Sequence, residues 1–104
     1  MKNEDFVIKE TKNNDVAKFT VKGRINTNNA SEFKDKLEKS INDGSLNIVV
    51  NMSKVEYLSS SGIRVILQIY KQLDELKGNF SIERPSENVK NVLGMVALDK
   101  MLII

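Results

Sequence analysis

Hydrophobic and polar positions along this chain follow two periods, and each stretch declares its element by the one it keeps. Ala17, Phe19 and Val21 alternate with Lys18, Thr20 and Lys22, the two-residue period of a strand buried on one face and wet on the other. Residues 6–11 read as a shorter first strand. The polar cluster Lys12, Asn13, Asn14 and Asp15 reads as the turn of an antiparallel hairpin, with Gly23 closing the second strand. Ala30, Phe33, Leu37 and Ile41 then recur at helical spacing, which predicts a helix over residues 29–43. Thr27, Asn28 and Asn29 supply helix-start chemistry, and Asn29 with Glu32 has the spacing of a capping box. Glu32 with Lys36 and Asp35 with Lys39 stand four apart, pairs of about 0.3 kcal/mol each, so these charges form a solvated face rather than a binding patch.

Residues 46–52, with Ile48, Val49 and Val50 in succession, read as a central strand covered on both faces and paired in parallel. A second helix is predicted over residues 60–77, where Ile63, Ile66, Leu67, Tyr70 and Leu73 share one face. Gly78 is expected to end it in the left-handed conformation, with Lys77 beside the negative end of the dipole. Residues 79–83 read as another strand and Pro85 breaks it. Ser86 then caps a short helix over residues 86–93, with Val89, Val92 and Leu93 inward. Residues 101–104 are either an edge strand or an apolar tail on the core. The sum is an α/β domain, a mixed sheet of four to five strands with packed helices. Its main core is expected from Phe19, Val21, Phe33, Leu37, Ile48, Val50, Ile66, Leu67 and Tyr70.

The stretch with chemistry of its own is the junction between the central strand and the second helix. Ser59, Ser60 and Ser61 are all competent N-caps, and Gly62 follows them. One cap needs one serine, so two hydroxyls remain where free backbone N–H groups and the helix dipole favour negative charge. A phosphate fits such a place; the plainer alternative is that all three serines are a cap and its flanks. In a parallel sheet, ligand and partner sites gather where a strand's C-terminal end turns into a helix, and the serines occupy that location.

Composition narrows the options. The 104 residues carry 16 basic and 14 acidic side chains, a net charge of +2 spread in alternation, and no basic run or aromatic set suited to nucleic acid. With no Cys and no His, the chain holds no disulfide framework, thiolate zinc site, Cys nucleophile or Ser-His-Asp triad. No G-x-S-x-G elbow and no phosphate-binding glycine loop appears, so neither an enzyme nor a nucleotide-binding protein is expected, and no cofactor. The length suits one domain over residues 1–104. No apolar run approaches a membrane span or a signal-peptide core, which predicts a cytoplasmic protein.

Several motifs carry a family resemblance: GRINTNNASEF from Gly23, LNIVVNMSKVEYL from Leu46, SSSGIRVIL from Ser59, and the tail VKNVLGMVALDKMLII. Together they resemble the STAS domain of the anti-sigma factor antagonists, most specifically where a strand enters Ser-Ser-Gly-Ile in place of that family's Asp-Ser-Ser-Gly-Leu. The resemblance implies that Ser61 is the serine a partner kinase phosphorylates, with Ser60 the alternative by one residue. It also implies that Asn26, Ser59, Ser60, Gly62, Ile63 and Arg64 contribute to partner binding. The implied partners are an anti-sigma factor serine kinase and a serine phosphatase; a weak homodimer is a further option, with the oligomeric state left open. Asn26 and Ser59 stand where the family usually has Asp, so two negative charges near the phosphoacceptor are missing. The competing expectation is a stand-alone STAS subunit of a transport system or signalling assembly that binds its partner constitutively.

Overall fold

The computed structural model describes residues 6–104; the first five residues of the expected domain lie outside the described residues. Strand β1 (Phe6–Asn13) pairs antiparallel with β2 (Val16–Ile25), which pairs in parallel with β3 (Asn47–Leu58), itself parallel to β4 (Asn79–Glu83). Helix α1 (Ala30–Asn42) connects β2 to β3 and α2 (Ser60–Glu75) connects β3 to β4. Helices α3 (Glu87–Met95) and α4 (Asp99–Leu102) follow. The sheet order is β1-β2-β3-β4. This is the expected α/β fold with a mixed sheet, at four strands.

The hairpin is tighter than the polar cluster predicts. Lys12 and Asn13 remain in the ladder opposite Ala17 and Val16, and Asn14 turns the chain with φ of 58°. Asn tolerates that left-handed conformation because its short polar side chain bonds locally. Gly23 does not close β2. It lies within the strand at φ of 103°, beside a register irregularity, and the strand runs on to Ile25.

The core lies between one face of the sheet and the packed pair α1 and α2. Ala17, Phe19, Val21 and Ile25 of β2 meet Ile48, Val50, Met52 and Leu58 of β3, Phe33 and Leu37 of α1, and Ile66, Ile69 and Leu73 of α2. β3 departs from the expected double cover. Ile48, Val50 and Met52 are sealed, but Asn47, Val49 and Asn51 are only half-buried, because the far face of β1 and β2 leaves Lys9, Lys18, Thr20, Lys22 and Arg24 in solvent.

α2 is rotated from its predicted setting. The buried stripe is Gly62, Val65, Ile66, Ile69 and Leu73, whereas Leu67 and Tyr70 are half-buried and leave the main core. Apolar residues cover more than half of this helix's circumference, so the period leaves the rotation open. The sheet and α1 select Val65 and Ile69. The helix ends in a Schellman arrangement, Lys77 N–H bonding to Asp74 O and Gly78 N–H to Leu73 O. Lys77 holds the left-handed position at φ of 61°. Gly78 serves a different purpose: a Cβ there would run into the Leu46 carbonyl oxygen.

Ser86 caps α3 as expected, accepting from Val89 N–H at 3.3 Å while donating to Val55 O at 2.6 Å. α3 thus follows β4 along β3, past the point where β4 ends. The tail is a helical turn and a single parallel bridge from Ile103 to Ile82.

Candidate functional site

β2 and β3 end side by side, Ile25 opposite Leu58, and each leads straight into a loop and a helix. The loop over residues 26–29 therefore faces the serine row. Ser59 N–H donates to Ile25 O at 2.9 Å and ties the second loop to the end of β2.

Of the three serines, Ser59 is the cap. Its backbone is extended, its side chain accepts from Gly62 N–H at 3.1 Å, and it is 6% exposed. Ser60 is exposed and Ser61 half-buried, both free of cap duty. Gly62 is required by packing: an added Cβ would lie 2.7 Å from Leu58 Cδ1 and 2.8 Å from Ile25 Cγ2, so the first turn of α2 rests on the two strand ends. Ile63 packs on the margin of the core, and Arg64 is exposed. The first turn of α2 holds no acidic residue, which leaves the helix dipole uncompensated at the serines.

The opposing loop is braced by two asparagines. Asn26 N–H donates to Asn29 Oδ1 at 2.9 Å, and Asn29 N–H donates to Asn26 Oδ1 at 3.1 Å. Asn26 Oδ1 also accepts from Asn28 N–H at 2.9 Å, and Asn29 Nδ2 donates to Arg24 O at 2.8 Å. The capping box expected from Asn29 and Glu32 does not form; Asn29 makes no side-chain cap bond to α1. The reciprocal geometry has moved one turn earlier, to Asn26 and Asn29, because Asn29 is buried and its amide also satisfies the end of β2. The residue that stands at the family's Asp position thus has a structural duty in neutral form.

Thr27 and Ser61 meet across the loops, their hydroxyl oxygens 3.3 Å apart with either able to donate. Thr27 was legible only as helix-start chemistry, and its place beside Ser61 follows once β2 and β3 are known to be parallel neighbours. The Arg24 guanidinium lies 4.7 Å from the centre of the Tyr57 ring, a cation–π contact next to the loop ends that periodicity does not signal. The structure thus brings Asn26, Ser59, Ser60, Ser61, Gly62 and Ile63 to one end of the β2–β3 pair, with Arg64 on the exposed side of the same helix turn. Among the described residues, no group of three or more Asp or Glu side chains is placed to hold a metal ion, and no helix is long and apolar enough to cross a membrane.

The STAS domain family matches residues 7–104, and the chain belongs to that family. A Bordetella bronchiseptica relative named as a candidate anti-sigma factor antagonist, BtrV, is 28% identical over 72 residues. That alignment covers 69% of this chain and 62% of the relative's length. A Thermotoga neapolitana relative, named in the same way, is 32% identical over 79 residues, 75% of this chain and 70% of its own. The solved structure of the anti-sigma factor antagonist SpoIIAA in its unphosphorylated form superposes with a TM-score of 0.82 at 18% identity, covering 95% of this chain and 85% of that one. SpoIIAA in its phosphorylated form gives 0.76 at 17% identity, covering 95% and 88%. These two share the fold.

Proposed function

We propose that this chain is a non-enzymatic anti-sigma factor antagonist, a single STAS domain of the cytoplasm whose docking surface is switched by phosphorylation of Ser61. The observation that carries the reading is the division of labour among the serines: Ser59 caps α2 alone, which leaves the Ser61 hydroxyl at the helix N-terminus bonded only to another hydroxyl, that of Thr27. Unmodified, the protein binds an anti-sigma factor serine kinase through Asn26, Ser60, Ile63 and Arg64 around that hydroxyl and so releases the sigma factor. The kinase supplies ATP and places a phosphate on Ser61, and a serine phosphatase resets the state.

The phosphate adds about −1.5 to −2 charges at neutral pH. Within this chain that charge meets a helix N-terminus, the nearby Arg64 and two neutral side chains at the family's Asp positions, Asn26 and Ser59. It is therefore tolerated by the domain itself, and the switch acts on the partner's surface through repulsion and desolvation.

The same neutral pair favours a second reading, in which the domain is a stand-alone subunit of a transport system or signalling assembly and binds constitutively. Incubation with the cognate kinase and ATP, followed by mass spectrometry of the peptide holding Ser59 to Ser61, separates the two. Phosphate on Ser61 is the expected result, phosphate on Ser60 shifts the register by one residue, and an unmodified peptide favours constitutive binding. Ser61→Asp is expected to weaken partner binding with the fold intact, and Ser61→Ala to bind but resist phosphorylation.

A further inference from the structure

The face of the sheet turned away from α1 and α2 carries a cluster of lysines drawn from three strands. Lys22 of β2 and Lys54 of β3 are direct cross-strand partners, and Lys9 of β1 pairs with Thr20 in the adjoining row. Val7, Lys9, Thr20, Lys22 and Lys54 line one open depression that holds no carboxylate, and a second, which shares Lys22 and Lys54 and is also lined by Glu56 and Glu87, adjoins it.

The juxtaposition depends on a β-bulge. Thr20 pairs with Asn51 but Lys22 pairs with Lys54, so two steps along β2 match three along β3. Asn51 Oδ1 accepts from Ser53 N–H at 2.9 Å and secures the extra residue. Ser53 and Lys54 are consequently both exposed, and the bulge sets Lys54 directly opposite Lys22. Like charges directly opposite in a sheet destabilise it. Among the described residues none of Lys9, Lys22 and Lys54 is ion-paired, whereas Lys18 on the same strand bonds Glu83 at 2.7 Å.

We propose that this face is a docking surface for an acidic segment of a partner protein, its carboxylates seated over Lys9, Lys22 and Lys54. The charges are spread over neighbouring strands, roughly 4.8 Å apart, which matches carboxylates distributed along a chain better than the single centre of a small anion. The backbone here is extended, with its N–H groups lying in the plane of the sheet, so the convergent donors of a phosphate nest are missing from the face. Among the described residues Tyr57 is the exposed aromatic ring, and it already stacks with Arg24, so no row of rings is present for successive nucleobases. Exposed Val7 adds an apolar contact at the rim. The surface lies across the sheet from α2, so its occupancy is independent of Ser61.

The test is an amide NMR titration of the full chain with an octaglutamate peptide. Shifts are expected at Lys9, Thr20, Lys22 and Lys54, with affinity falling about tenfold between about 50 and about 300 mM salt as the charges are screened. The Lys22→Gln/Lys54→Gln double variant should lose about tenfold in affinity, while Ser61→Ala binds as the parent does. In urea the double variant should unfold no earlier than the parent, since the repulsion is relieved, and this shows that any binding loss is not a folding loss. Three results overturn the proposal: no shifts at these amides, undiminished binding by the double variant, or tighter binding at these amides of pyrophosphate or an oligothymidylate than of the peptide.

Discussion

The Thr27 and Ser61 hydroxyls, 34 residues apart in sequence, lie 3.3 Å from each other where two parallel strands end. The contact orients the proposed phosphoacceptor from a loop on a different strand. Thr27→Val keeps the branched shape and removes the hydroxyl. Its stability should stay within about 0.5 kcal/mol of the parent, as for exposed positions generally, while Ser61 is phosphorylated more slowly by the cognate kinase. Equal rates for parent and variant would show that the hydroxyl pair has no part in presenting Ser61.

Ser59 and Ser61 are neighbours of the same chemistry with different duties. Ser59→Ala removes the only side-chain cap on α2 and should cost about 1 kcal/mol in urea unfolding. Ser61→Ala should cost distinctly less. Equal losses would mean that the cap is shared.

The rotation of α2 predicts an asymmetry between two apolar positions two residues apart. Ile69 is fully buried and Leu67 half-buried, so Ile69→Ala should cost about 2–5 kcal/mol and Leu67→Ala less than half as much. Chemical denaturation of the two variants checks it, and a larger loss at Leu67 would restore the unrotated helix.

Gly78→Ala should destabilise the domain by at least about 1–3 kcal/mol, because the new methyl group meets the rigid backbone of Leu46 rather than a side chain that can turn aside. Gly44→Ala, with open space around it, meets only the strain of its φ of 105° and is the control in the same thermal melts.

The Asp43 carboxyl is held below its usual range, first by the hydrogen bond from Lys12 and then by the charge of Lys39. A depressed folded value adds stability above the unfolded pKa and loses it as pH falls through the folded one. Asp43→Asn should therefore lower stability slightly near neutrality and converge with the parent in acid. The effect is small because the group is exposed and screened. Urea midpoints measured across the acid range would reveal it, and parallel curves would contradict it.

What the sequence determined by itself is everything that a short window of chain controls. The alternation at Ala17, Phe19 and Val21, the helical spacing of Phe33 and Leu37, the parallel reading of residues 46–52, the cap at Ser86 and the placing of three serines at a helix start are all local patterns. The structure repeats them. The tertiary structure decided what depends on neighbours remote in sequence. Ser59 became the cap because its backbone is tied to Ile25, and the Asn29 side chain turned from its own helix to brace Asn26 and Arg24. Leu67 yielded the core to Ile69 because a helix apolar around most of its girth takes its rotation from the sheet and α1 that it packs on. Thr27 met Ser61, and Lys22 met Lys54, only because strand register and one bulge set which residues stand opposite. Period and capping are decided within a turn or two of chain, whereas rotation, register and contacts between loops are decided when distant segments compete for the same buried space.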